Sequence, residues 1–366
     1  MADGGLATRS LMTRSLENRW VRLALTIAIG LAGGWLFTRL GTPLPWMLGA
    51  LAATMICSMA GLPLQVPQLF RRLWIIVLGI MLGSAFTAET FDHLLHWGGS
   101  FLGMILVVTV GTMLAAWFYR QVGRFDKHTA LFCASPGGLG EMMILGPALG
   151  GDERTIVLCH ATRIVMVMAL IPPAYALIEG YIPPPDLGAG GSILGADMGD
   201  LALLIVTGFI GAFIAKLLRL PAWQMFGSMT ASALIHAGGM TDAKPPIELV
   251  AFAQAVIGSG AGARFAGVKP RELLKPMVLG AIATVGLLVL AAGAAYVVAV
   301  ALDLDFRAVH LSYSPGGFAE MSLIALTLGI EAPFVAVHHM GRIFMVVMMA
   351  GVVGRYLKRK SGVPED

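Results

Sequence analysis

At 366 residues, 57% of them hydrophobic and only 13% charged, with a mean hydropathy of +0.81, the chain is too apolar for a soluble enzyme or binding module of ordinary charge content. Basic loops on one face of a membrane protein account for the net charge of +4, and no basic tract stands apart from the apolar runs as a nucleic-acid-binding segment would. Cys57, Cys133 and Cys159 lie in apolar segments without CxxC or CxxH spacing, which argues against a disulfide framework or a zinc site and leaves them as small buried hydrophobes.

Residues 1–19 carry Arg9, Arg14 and Arg19 but no compact apolar stretch with a small-residue cleavage site. They read as a retained cytoplasmic tail rather than a signal peptide. A first membrane repeat is expected over 20–180, with candidate spans near 20–39, 44–61, 73–87, 97–119 and 154–178. The longer runs reach the roughly 20 apolar residues that cross a hydrocarbon core of about 30 Å. Pro172 and Pro173 are expected to kink the fifth span. Residues 181–199, rich in Pro and Gly and free of Lys and Arg, form an extracytoplasmic linker. A second repeat follows over 200–357, with candidate spans near 200–217, 221–238, 248–265, 273–301 and 332–356, and residues 358–366 close the chain as a second cytoplasmic tail.

Between the fourth and fifth span of each half the apolar pattern is interrupted by one motif. It reads SPGGLGEM from Ser135 to Met142 and SPGGFAEM from Ser314 to Met321, 179 residues later. The same offset pairs Gly79 with Gly258, Gly83 with Gly262, Asp126 with Asp305, His160 with His339 and Arg163 with Arg342, so the chain is an internal duplication.

Loop charge sets the orientation. With Arg9, Arg14, Arg19 and Arg22 inside, one crossing per span puts Arg71, Arg72, Arg120, Arg124 and Lys127 inside, and Glu89 and Asp92 outside. The neutral linker then falls outside only if the motif does not cross. Lys216, Arg219, Arg264, Lys269, Arg271 and Lys275 follow inside; Arg39, Lys244 and Arg307 dissent singly. Equivalent loops therefore face opposite sides. The expected fold is an all-α integral membrane protein of two inverted-topology repeats, each of five transmembrane helices plus one re-entrant hairpin, an architecture of secondary transporters whose substrate site lies near the midplane. The membrane is the inner (plasma) membrane, with both termini cytoplasmic.

Within the motif, Ser135 and Ser314 suit an N-cap and the following proline the first helical position, so a helix is expected to start there. Gly137, Gly138, Gly316 and Gly317 offer bare backbone N–H groups to an anion, or else simply permit a tight hairpin. Glu141 and Glu320 are carboxylates at membrane depth, readable as proton or cation carriers or as static partners of a buried arginine. Arg163 and Arg342 fall near mid-span, and each shares a helix face with a histidine three residues earlier, His160 and His339. A guanidinium fork beside an imidazole suits anion recognition with a pH-sensitive neighbour; structural pairs, Glu141 with Arg163 and Glu320 with Arg342, are the alternative. The remaining histidines do not converge, so no metal site is expected, and the 22 methionines suit adaptable packing better than copper.

The paired SPGG, EM and HxxR blocks on a duplicated apolar chain resemble the AbrB membrane family from about residue 20 onward. Its members carry the labels ammonia monooxygenase and membrane-bound regulator, and its name is shared with an unrelated soluble DNA-binding protein. The residues show no helix-turn-helix module and no copper-ligand cluster, so neither an enzyme nor a DNA binder is expected. More distantly the chain resembles glutamate:sodium symporters and 2-hydroxycarboxylate transporters, whose re-entrant loops carry GGxG. Gly137, Gly138 and Gly140 fit that pattern, whereas the second copy departs from it at Ala319. The resemblance implies alternating access, a core carrying both hairpins that moves against a scaffold, and a homodimer. The expectation is a transporter of a small organic anion, coupled to protons or sodium and needing no cofactor. The rivals are a ligand sensor regulating gene expression, a small-solute channel and, last, a membrane monooxygenase.

Overall fold

The computed structural model describes residues 18–94, 96–135, 142, 146–179, 190–267 and 270–361. Gly137, Gly138 and Glu141, and residues 181–189 of the linker, lie outside the described residues. Among those described the structure is helical, with one isolated bridge between Gly190 and Pro246.

The first half supplies α1 (Arg19–Arg39), α2 (Pro45–Met59), α3 (Gln68–Gly83), the short α4 (Ala88–His93), α5 (Gly98–Gln121), α6 (Lys127–Ala134) and α7 (Glu153–Glu179). The second supplies α8 (Met198–Leu217), α9 (Trp223–Ala237), α10 (Ile247–Gly262), α11 (Pro270–Leu302), α12 (Phe306–Tyr313), α13 (Phe318–Thr327) and α14 (Ala332–Ser361). Boundaries recur at the sequence offset of 179: α3 maps onto α10 and α6 onto α12 residue for residue. One cause is visible at α6 and α12, where Asp126 accepts from the His128 and Thr129 amides and Asp305 from the Arg307 amide. An N-cap carboxylate satisfies amides that the first turn leaves without partners.

Five helices, α1, α5, α7, α8 and α11, are long and apolar enough to cross a membrane. The sequence names ten candidate spans, and the other five fall on helices of shorter apolar length. α2, α3, α9 and α10 run only 15 or 16 residues, about 22–24 Å at 1.5 Å per residue, and the apolar stretch of α14 covers Ala332–Met348. Apolar runs in the sequence include turn residues: Leu44 and Ala222, each before a short helix, are left-handed at φ 49° and 47°. α7 continues through Pro172 and Pro173 as one helix.

Packing divides the helices into two groups. α1–α3 and α8–α10 interlock crosswise, because α3 packs on α9 and α10 on α2, each against the other half. Their crossing points are glycines. A Cβ on Gly33 would overlap the Gly49 carbonyl and one on Gly211 the Gly227 carbonyl, and each partner glycine meets the same obstacle in return. Backbones brought this close gain dispersion contacts that larger residues would block. The second group is α5–α7 with α11–α14, joined to the first mainly through α3 against α13 and α14. α8 leaves Val206, Phe209, Ile210, Phe213 and Leu217 exposed along its outer side. That is more contiguous apolar surface than water tolerates and fits contact with lipid.

Candidate functional site

Arg163 of α7 and Arg342 of α14 open onto one cleft of about 340 Å³ of empty volume, counting the part open at its mouth. Its walls pair across the two halves: Val108 with Leu287, Gly111 with Leu290, Ala134 with Tyr313 and Arg163 with Arg342 are each related by 179 residues. A cavity lined by both members of four equivalent pairs sits where the halves meet. Apart from the guanidinia, Thr112 and the Tyr313 hydroxyl, the lining side chains are apolar, and the charge of Arg163 is felt at Arg342.

The two arginines are held differently. Arg163 donates from Nη1 to the Ser135 carbonyl at 3.1 Å and from Nη2 to His160 Nδ1 at 2.6 Å. His160 Nε2 lies 2.8 Å from the Phe132 carbonyl, which can only accept. His160 is therefore the Nε2–H tautomer, with its Nδ1 lone pair turned to the guanidinium. A second proton would cost the bond to Arg163, so the ring acts here as a neutral positioning group.

Arg342 donates from Nη1 to the Ser314 carbonyl at 2.8 Å and from Nη2 to the Gly316 carbonyl in a short contact. It thereby ties both sides of the break between α12 and α13. His339 donates from Nε2 to the Leu311 carbonyl at 2.9 Å. Arg342 Nε and His339 Nδ1 are buried with no hydrogen-bond partner among the described residues.

Two expectations are corrected at this break. Ser314 was expected to start a helix; instead it ends α12, its hydroxyl donating to the His310 carbonyl at 2.7 Å, and Gly317 is the N-cap of α13. The Gly316 N–H turns back to the Ser314 carbonyl at 2.8 Å rather than facing a ligand. Glu320, expected as a possible partner of Arg342, makes no ion pair with it, because the carbonyls of the break take that guanidinium's donors. Its carboxylate folds back over Gly317, whose missing side chain leaves room for it.

No pattern in the residues points to Tyr313, which donates to the Ser100 carbonyl at 2.7 Å and ties α12 to α5. Arg71 and Arg264 were expected to be ordinary cytoplasmic loop charges. They lie partly buried instead, on the first turn of α3 and the turn after α10, within electrostatic reach of Glu320 and of each other.

Comparison with known proteins follows the same lines. The family profile described as "Transition state regulatory protein AbrB" matches residues 46–358. A protein of Escherichia coli (strain K12), whose name marks it as a candidate regulator, AbrB, is 24% identical over 346 residues, covering 92% of this chain and 94% of its own length. The uncharacterized protein YhjN of Bacillus subtilis (strain 168) is 26% identical over 371 residues, covering 93% and 94%.

Proposed function

This chain belongs to the AbrB family, and we propose that it is a secondary active transporter of a small organic anion of carboxylate type. One observation carries the reading: Arg163 and Arg342, 8% and 2% exposed, face a single apolar cleft from equivalent positions in the two halves, with no carboxylate ion-paired to either among the described residues. Buried charge without a counter-charge is expensive. A small carboxylate in the cleft neutralises it and meets a fork donor of matching geometry.

On this reading the halves are inverted repeats, each of five transmembrane helices and one re-entrant hairpin, entering the inner membrane from opposite faces with both termini cytoplasmic. The repeated helix boundaries support it, as do α12 and α13, which at 8 and 10 residues are too short to cross alone. The crosswise group α1–α3 and α8–α10 serves as scaffold and dimerises through its exposed α8 side, and the group carrying the cleft moves against it. Coupling to protons or sodium falls to Glu141 and Glu320, with no cofactor and no nucleic acid involved.

The test is uptake into liposomes. Purified protein should accumulate a labelled small carboxylate, show counterflow when preloaded, and lose both with Arg163→Gln. Binding without any flux would favour the second reading, a membrane ligand sensor, which the regulator name of the Escherichia coli relative supports. Flux without counterflow would favour a channel.

A further inference from the structure

Arg71 and Arg264 lie outside the lining of the cleft. Arg71 lies on the first turn of α3 and packs along the backbone of α10 beside Gly260, while Arg264 sits in the 3-10 turn Ala263–Phe265 that follows α10. Arg71 Nε and Arg264 Nη1 are buried N–H donors with no acceptor among the described residues. A buried donor left without an acceptor is costly, the more so when it is charged. Glu320 is the carboxylate that both guanidinia feel, yet it forms no ion pair within 4.0 Å with either. It rests on Gly317 at the start of α13, where a helix N-terminus favours negative charge. A static structural pair would close this gap and satisfy the donors.

Arg264 also reaches inward. The turn that carries it packs on α7, whose His160 holds Arg163 at the cleft through Nδ1. Phe265, fully buried, packs against Leu158 and Ala161 of α7 and fixes that proximity. Arg71 beside Gly260 and Arg264 next to Phe265 thus flank the end of α10 that packs on α7, the helix that carries Arg163. The equivalent positions in the other half are Val250 and Ala85, so only one approach carries charge.

We infer that Arg71 and Arg264 form a second oxyanion station on one side of the cleft, with Glu320 as the internal carboxylate that an arriving small carboxylate displaces before passing to Arg163 and Arg342. The inference rests on the transporter reading and gives it a direction. The station lies on the face where basic loops collect, the cytoplasmic one.

The experiment is a titration of the purified full chain in detergent with acetate and with succinate, followed calorimetrically, alongside Arg71→Gln, Arg264→Gln, Glu320→Gln and Arg342→Gln. Arg71→Gln and Arg264→Gln should each weaken succinate binding by about thirtyfold. Glu320→Gln removes the internal competitor and should tighten it by about tenfold, a gain that no misfolded variant can produce. The gain should vanish in the Glu320→Gln, Arg71→Gln double variant. Wild-type affinity in Arg71→Gln and Arg264→Gln with unchanged elution and melting, or weaker binding in Glu320→Gln, overturns the station while a loss confined to Arg342→Gln leaves the cleft reading standing. If the wild-type protein binds neither anion, both readings fall.

Discussion

Arg163 and Arg342 occupy the same place in two copies of one motif and face the same cleft, yet they hold different things. Arg342 binds two carbonyls across the α12–α13 break and keeps Nε without a partner, beside a histidine whose Nδ1 is also unused. Arg163 binds one described carbonyl and fixes its other amino group on His160. The difference teaches that equal position does not mean equal duty. The second copy is built as a clamp across the break, and the first as a guanidinium aimed by its neighbour.

The largest effect expected from breaking this comparison is that of Arg342→Gln. It should abolish anion binding and also lower stability by about 1–3 kcal/mol, because two buried carbonyls of the break lose their donor. Thermal unfolding in detergent would report it as the deepest drop in melting temperature among the site variants. Arg163→Gln should abolish binding as fully while lowering stability less, so the pair separates when both quantities are measured on the same samples. Equal melting shifts would show that the clamp has no special structural weight.

The crossing glycines sharpen the comparison from the other side. Gly33→Ala and Gly211→Ala each drive a Cβ into a backbone carbonyl, and overpacking of this kind costs about 1–3 kcal/mol. Matching losses would mark the scaffold halves as equivalent while the arginine sites are not. A smaller split is expected between His160→Ala and His339→Ala. The first frees Arg163 Nη2 and should weaken carboxylate binding by about tenfold, of the order of one charge-assisted hydrogen bond. The second removes only the bond to Leu311 and should leave affinity nearly unchanged.

The smallest effect belongs to the outer surface. Glu248 accepts from Ser192 Oγ at 2.6 Å and from the Ile193 amide at 3.0 Å, and these bonds hold its carboxyl below the usual carboxylate range. A lowered folded-state value means that its contribution is present above the ordinary carboxylate range and fades as pH falls through the lowered value. Glu248→Gln should mimic acid and speed labelling of a cysteine placed at Ile193 at neutral pH. Unchanged labelling would show that the strap from Gly190 to Ile193 holds without this carboxylate.

Much of this was legible in the residues themselves. Composition announces helices long and apolar enough for a membrane, and the 179-residue offset anticipates where helices recur. The arginine and histidine pairs are visible from their spacing of three. What the sequence hid depends on partners. Ser314 looks like an N-cap until its hydroxyl is seen turned back onto His310, and the better signals were Asp126 and Asp305, each an N-cap one short helix upstream. Arg71 and Arg264 count as loop charges until Glu320 is brought near them. Three helices, α2, α9 and α10, proved shorter than their expected spans, because a turn such as that at Leu44 is as greasy as the helix it precedes.

The crosswise packing of α3 on α9 and of α10 on α2 bears on how the protein is made. A ribosome delivers α3 well before α9, with 155 residues between Gln68 and Trp223, which at about 5–20 residues per second is roughly 8–30 s of synthesis. Throughout that interval the glycine face of α3, with Gly79 and Gly83 shaped to meet Met225, Ser228 and Ser232, has no mate. The first half therefore cannot finish folding on its own, and its short helices must be sheltered by lipid or by the insertion machinery until the second half arrives.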